Sequence, residues 1–364
     1  VGAGEAKIAR GSEMAVLAGS IYAGDVVEEV NGLDHSVVAR GISQNVRWVV
    51  TDHVHKGKLE RVVTIKGFDA TDQGVDREEL VVDIVRAVPV PLNGVEVHEG
   101  FLEIAMAIYE DVRPYIDSVS PSHGVVLNGH SIGGSLCTIL LFLISLDAEM
   151  DQKIVKDCYV FGSPPVVSEG SVKELGGCVP GGDAVLELFG YPADIIKSFV
   201  QPWDPVTRLF TSSDPTYPLV GDLGQDGVTL YASGPNRILR PLVRSILLIA
   251  PTWPALRDEY LQTSDVKLQN VGRQIVLLPQ ETQYLSDRFI TVSVAVPDVG
   301  AMAEMGSEDL LPFLYEAFPL DEFSISFVPA ALRSFIHHFW PAYTTALGGV
   351  IEAAAESSSE LEKM

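Results

Sequence analysis

Cysteine is scarce in this chain: there are three in 364 residues, Cys137, Cys158 and Cys178. The number is odd, no C-x-x-C pair occurs and no histidine clusters with them, so neither a disulfide framework nor a metal centre is expected. Cys137 and Cys158 lie in or beside apolar runs and read as buried thiols. Positive charge is also short. Lys and Arg number 25 against 49 Asp and Glu, a net charge of −24, with an isoelectric point near 4.6. A surface this acidic repels nucleic acid and anionic membranes alike, which argues against both as electrostatic partners, and its plain effect is to keep the chain soluble. Long apolar runs are missing too. The longest unbroken one, Ile139–Ile144, falls far short of a membrane span, and Arg240, Arg244 and Pro251 interrupt the next candidate, Ile238 to Leu256, so no transmembrane segment is expected. There is no internal repeat and no secretory pattern at the start. The first residue is Val1 rather than Met. That is compatible with a targeting segment cut away upstream, and the compartment, cytoplasm or organelle, is left open.

What is present is core material. Apolar residues make up 47% of the chain, enough at this length for one elaborated domain or two ordinary ones. Gly11 to Val30 has the apolar spacing of a helix. Val62–Ile65 is a β-branched strand that runs into Lys66-Gly67. Asp69 to Glu79 is acidic and predicted to be exposed. Phe101 to Ile116 recovers helical spacing, with Leu102, Met106, Tyr109 and Val112 facing inward until Pro114 disturbs the pattern. Gly124–Leu127 is a short, wholly apolar strand, and an apolar helix reaching Leu146 follows it closely. Cys158–Phe161 and Ile195–Val200 read as further strands, with Gly272–Leu278 and Ser324–Val328 resuming strand structure late in the chain. Strand, helix, strand in that order implies a parallel sheet with right-handed crossovers.

Between the Gly124 strand and its helix stands Gly129-His130-Ser131-Ile132-Gly133, a G-x-S-x-G nucleophile elbow. A serine at a tight strand-to-helix turn is forced into a strained backbone, so the side chains flanking it must vanish, and glycines two before and two after remove the clash. The turn also sets Ser131 at the positive end of the helix, where an oxyanion is stabilised, with the backbone N–H of Ile132 as one donor. At average residue usage the pentapeptide arises by accident in roughly one chain of this length in ten. The apolar strand leading in and the apolar helix leading out are what its mechanics require. The expected fold is therefore α/β: an α/β-hydrolase fold, a central, mostly parallel sheet flanked by helices, as a single domain over 1–364.

Here the sequence resembles the class 3, or fungal-lipase-like, lipases. Val97-His-Glu-Gly-Phe101 is similar to the family's VHxGF segment, and Gly129 to Gly134 to its GHSLGG elbow, with Ile132 in place of leucine. Phe161-Gly-Ser-Pro164 resembles its FGSPR strand end, with Pro165 where arginine is usual. A serine needs a base to take its proton, and the base needs an orienting carboxylate. Asp204, in Asp-Pro-Val-Thr-Arg-Leu209 after a predicted strand, resembles the family's D-x-V-x-R-L acid segment; Asp194 and Asp183 are the reserves. Among the eight histidines, His130 sits inside the elbow, unable to reach round to Ser131, and His98 occupies a structural position of the VHxGF segment. His53, His55 and His123 lie in polar stretches, and His35 is N-terminal. His337 and His338 remain. The resemblance favours His338, which Tyr343 and Ala346-Leu347 follow in the family's manner. The second oxyanion donor is expected from the backbone N–H of Phe68, in Lys66-Gly-Phe68, where the family has Arg-Gly-Ser or Arg-Gly-Thr. No hydroxyl is available there.

The resemblance implies acyl transfer on a lipid or other ester substrate, with catalytic Ser131, Asp204 and His338, oxyanion donors Phe68 and Ile132, and no cofactor or metal. Family lids lie between the oxyanion loop and the VHxGF segment, but here that stretch is charged. An insertion over 211–270 offers a better cap or lipid-contacting segment: Ile238, Leu239, Leu242, Val243, Ile246, Leu247, Leu248, Trp253 and Leu256 would line one helical face, against either a lipid interface or the core. Residues 352–364 form a polar tail. Two other readings stay open: a hydrolase of a pigment or phenolic ester, and a non-catalytic lipase-like scaffold.

Overall fold

Val62–Ile65, Gly124–Leu127, Cys158–Phe161 and Ile196–Val200, far apart in sequence, lie side by side as parallel neighbours in one sheet. The computed structural model describes residues 3–23, 35–69, 72–120, 123–175, 181–202, 204, 206–211, 267–278 and 301–317, with His338, Tyr343 and Leu347. Most of the expected insertion, the predicted strand Ser324–Val328, the polar tail, Cys178, His337 and the end of the first predicted helix lie outside the described residues.

Helix α1 (Ala3–Ser20) precedes three antiparallel strands, β1 (His35–Ser43), β2 (Val46–His55) and β3 (Lys58–Ile65). Then come α2 (Arg77–Val85), the hairpin β4 (Pro89–Leu92) and β5 (Val95–His98), and α3 (Glu99–Asp117). The elbow joins β6 (Gly124–His130) to α4 (Ile132–Leu146), and β7 (Val155–Phe161), β8 (Val167–Ser168), α5 (Glu169–Leu175), α6 (Gly181–Leu188) and β9 (Ile196–Val200) follow. After the undescribed stretch come β10 (Leu268–Gln269), β11 (Arg273–Leu278), β12 (Ala301–Met305) and α7 (Ser307–Ala317). The main sheet has eight strands in the order β1-β2-β3-β6-β7-β9-β11-β12, and a small one has the order β10-β8-β5-β4. The five strands β3, β6, β7, β9 and β11 run parallel at the centre, with antiparallel pairs at both edges. This is an α/β-hydrolase fold.

Strand periodicity explains why both faces are covered. Val63, Leu127, Cys158 and Val160 point to the layer holding α3 and α4. Their neighbours Val62, Val126, Tyr159 and Phe161 point the other way, onto Ile8, Met14 and Leu17 of α1. Each large apolar side chain so buried stabilises the fold by about 1.5–3 kcal/mol. Cys137 and Cys158 are free, buried thiols.

Several details differ from the sequence reading: the first helix, expected from Gly11, spans Ala3–Ser20. The buried stripe of α3 is Phe101, Ile104, Ala105, Ile108, Val112 and Ile116, whereas Leu102 and Tyr109 are only partly buried and Met106 is exposed. The phase is set at the first turn, where His98 caps the helix and the Phe101 ring stacks on the His98 ring at 3.8 Å. The helix also continues through Pro114, since a proline removes one donor but its carbonyl still accepts, here from Ser118 N–H at 3.2 Å. The acidic stretch after Phe68 is not uniformly exposed: Asp69 and Asp72 turn in to clasp the buried Lys66 ammonium, both at 2.9 Å. A buried cation needs such partners. Asp76 caps α2 through the N–H groups of Glu78 and Glu79. Among the described residues no helix is long and apolar enough to cross a membrane.

Candidate active site

The conformation of Ser131 follows from its turn. β6 ends at His130 and α4 begins at Ile132, so Ser131 alone makes the reversal, at φ 58° and ψ −135°. A non-glycine residue adopts such an angle only where its surroundings over-determine it. Here a β-carbon on Gly129 would stand 2.3 Å from the Gly133 carbonyl oxygen, and one on Gly133 would stand 2.2 Å from that of Ile65. Strand β3, the elbow and α4 approach so closely because those side chains are absent. The Ser131 N–H donates to the Phe161 carbonyl at 2.8 Å and fastens the turn to β7. Ser131 thus sits at the N-terminus of a buried helix, whose dipole favours developing negative charge.

His338 Nε2 lies 2.8 Å from Ser131 Oγ, and His338 Nδ1 faces both Asp204 carboxylate oxygens at 2.9 and 3.0 Å. Asp204 is fully buried on the loop after β9. Its carboxylate also accepts the Val206 N–H at 2.8 Å and the Tyr343 hydroxyl at 2.7 Å. Burial, then the adjacent carboxylate, pushes the Tyr343 phenol far above its ordinary value, so it remains a donor. A carboxylate satisfied in this way has one orientation, and so has the imidazole bonded to it.

The structure therefore brings Ser131, Asp204 and His338 into one hydrogen-bonded chain. The two reserve acids are elsewhere. Asp183 pairs with Arg273 at 3.3 Å, and Asp194 precedes β9, at the opposite end of that strand from Asp204. His98 Nδ1 caps α3 by accepting the Phe101 N–H, while its Nε2 faces the Ile84 carbonyl at 3.0 Å. His53, read from its polar surroundings as unremarkable, is buried, bonded to the Thr51 hydroxyl and stacked on His35.

Of the two expected oxyanion donors, Ile132 opens α4 directly after Ser131. Phe68 follows Gly67, which packs against the elbow: a β-carbon on Gly67 would stand 2.7 Å from Ser131 Cβ. The Phe68 ring is partly buried against the main core. Two residues around the site had not been singled out from the sequence. Tyr22, in a short turn after α1, bonds the Gly67 N–H and the His130 ring, both at 2.9 Å. Gly162 lies against Asp204 and His338. It belongs to the Phe161-Gly-Ser-Pro segment, so a signal was present; Tyr22 had none.

Residues 62–212, which hold Phe68, the elbow and Asp204, match the family described as lipase (class 3). Two Arabidopsis thaliana proteins, the chloroplastic phospholipases A1 PLIP2 and PLIP1, are each 28% identical over 126 and 125 residues. Those stretches are 34% and 33% of this chain but only 16% and 17% of the relatives, so the match spans about one sixth of their length. Among solved structures, lipase II from Rhizopus niveus is similar at 13% identity, covering 88% of this chain and 94% of that one with a TM-score of 0.47. The Rhizomucor miehei triacylglyceride lipase is 18% identical, covering 56% of this chain and 74% of that one with a TM-score of 0.41. Residues 62–212 of the chain thus resemble the class 3 lipases.

Proposed function

We propose that the chain hydrolyses acyl esters of glycerolipids through a Ser131–His338–Asp204 triad and an acyl-enzyme intermediate. The observation that carries this reading is the unbroken chain from Ser131 Oγ through the His338 ring to the Asp204 carboxylate. His338 Nε2 takes the serine proton as Oγ attacks the ester carbonyl, and Asp204 steadies the imidazolium that forms. The tetrahedral oxyanion is held by backbone N–H groups of Ile132 and Phe68. The imidazolium then gives its proton to the departing alcohol. Water, deprotonated by the same ring, attacks the acyl-serine and releases the acid. No metal or organic cofactor enters these steps.

Glycerolipid as the substrate class is supported by the two relatives named phospholipase A1. The acidic surface suits neutral or zwitterionic lipids better than anionic ones. The test pairs two measurements on the wild type and Ser131→Ala. The first is labelling by a fluorophosphonate probe. The second is fatty-acid release from phosphatidylcholine and triolein, set against a chain-length series of soluble phenyl esters. Labelling that depends on Ser131, with long-chain glycerolipids turned over best, is expected. Labelling with preference for acetate or phenolic esters would replace the substrate class, and no Ser131-dependent labelling would leave the fold as a binding platform.

A further inference from the structure

Behind the reacting atoms runs a second line of hydrogen bonds that ester hydrolysis does not itself use. The Gly67 N–H donates to the Tyr22 hydroxyl at 2.9 Å. Because that oxygen already accepts, its own proton is directed to His130 Nδ1, also at 2.9 Å. With Nδ1 accepting, the neutral ring carries its hydrogen on Nε2, which faces the backbone carbonyl of His338 at 2.6 Å. Every donor in the line has an acceptor and the direction is fixed. Burial, and then the neighbouring His338, pushes His130 down to about 3, so the ring stays neutral and the line keeps its sense at neutral pH.

The line joins three segments: the loop after β3 that presents Phe68, the end of the neighbouring strand β6 before Ser131, and His338, the residue proposed as base. The His130 ring also stacks on the His338 ring, at 4.9 Å between centroids. The Lys66 ammonium also lies over the Tyr22 ring, 5.2 Å from its centre. We infer that Tyr22 and His130 are positioning residues, which lock the oxyanion loop and His338 into register with each other through one directed chain of hydrogen bonds. The inference rests on the catalytic reading above, in which Phe68 and His338 act on the same intermediate.

Tyr22→Phe tests it, because the ring, its packing and its contact with Lys66 remain while the hydroxyl is lost. Steady-state kinetics on a soluble phenyl ester should show kcat falling about tenfold or more with KM unchanged, since misplacement affects the transition state rather than binding. His130→Ala should cost a similar factor, and the double variant should be little worse than either single one, because both break the same chain. His130→Gln, which keeps a donor toward the His338 carbonyl but offers Tyr22 no equivalent acceptor, breaks the chain at its second link and carries the same expectation should Tyr22→Phe not fold. A folded Tyr22→Phe or His130→Gln enzyme with kcat within about twofold of wild type overturns the inference, as does a double variant whose losses multiply. Those outcomes are separate from failure of the catalytic reading, which shows as wild-type turnover that persists in Ser131→Ala and would overturn this inference with it.

Discussion

Gly162 leaves no room for a methyl group beside Asp204: a β-carbon there would stand 2.6 Å from Asp204 Oδ2, 2.8 Å from the Tyr343 hydroxyl and 3.2 Å from His338 Nδ1. The glycine also sits at φ 57°, where an alanine is strained whatever the space. Gly162→Ala must therefore move either β7 or the acid and base together. Thermal unfolding should show a loss of about 1–3 kcal/mol. Turnover should fall about a hundredfold or more, the scale on which small misplacements of reacting groups are felt. Retention of turnover with lowered stability would mean that the carboxylate is not the orienting group.

Tyr343 reaches the same carboxylate, sharing its Oδ2 with His338. Its hydroxyl donates to Asp204 Oδ2 at 2.7 Å and accepts the Gln201 N–H at 3.2 Å. A hydrogen bond to a charged group is worth about 1.5–3 kcal/mol. Tyr343→Phe should thus lower kcat about tenfold while leaving KM unchanged, because the hydroxyl faces the acid rather than substrate. Asp204→Asn should be far worse, by about four orders of magnitude, because the ring is then free to take the wrong tautomer. Equal losses from the two variants would make Tyr343 part of the proton chemistry and refute its role as an anchor.

Acid should unfold this protein early. Burial pushes both His98 and His130 down to about 3, against an ordinary value of 6.5. The folded value lies below the unfolded one, so between about pH 6.5 and about pH 3 the unfolded chain takes up protons that the native chain refuses. The stability these groups contribute is complete above about pH 6.5 and is lost progressively as pH falls toward the folded value. Together they give a slope of roughly 2–3 kcal/mol per pH unit near pH 5. His98→Asn keeps a side-chain acceptor for the Phe101 N–H and removes one of the two titrations, so the slope should drop by roughly 1.4 kcal/mol per unit. Urea midpoints at pH 5, 6 and 7.5 measure it. An unchanged slope would show that His98 is not held neutral by the fold.

How far the sequence reaches depends on whether the signal is local. The elbow was legible because strand, turn and helix are contiguous, and the close approach of β3 to Gly133 leaves no choice of residue there. The central strands were legible from their β-branched, apolar runs. Asp204 and His338 came from a motif resemblance, and only the folded chain places them at hydrogen-bonding distance, across 134 positions. The phase of α3 was misread because its apolar residues allow two stripes, and the choice is made by the stacking of Phe101 on His98, which spacing does not encode. Tyr22 was invisible for a similar reason. A tyrosine ending an N-terminal helix is unexceptional until β3 and the elbow close over its hydroxyl.

The acidic stretch after the oxyanion loop shows the same limit and gives the last test. Read by composition it is a solvated run, yet Asp72 accepts from both Lys66 Nζ, at 2.9 Å, and Arg47 Nε, at 2.7 Å. Lys66 is buried and precedes the glycine that packs on Ser131, so the loop's base is pinned by charges taken out of water. Removing one partner of such a cation costs more than the pair is worth, because the charge left behind is not rehydrated. Asp72→Ala should therefore destabilise the fold by about 1–3 kcal/mol and lower turnover as the Gly67–Phe68 backbone loosens. Glu149→Ala is the matched control: Glu149 pairs with Arg113 at 2.6 Å, but its side chain is 82% exposed. Its loss should stay within about 0.5 kcal/mol and leave turnover untouched. If denaturant unfolding and ester turnover respond alike to both changes, the clasp around Lys66 is an ordinary surface ion pair and does not hold the oxyanion loop.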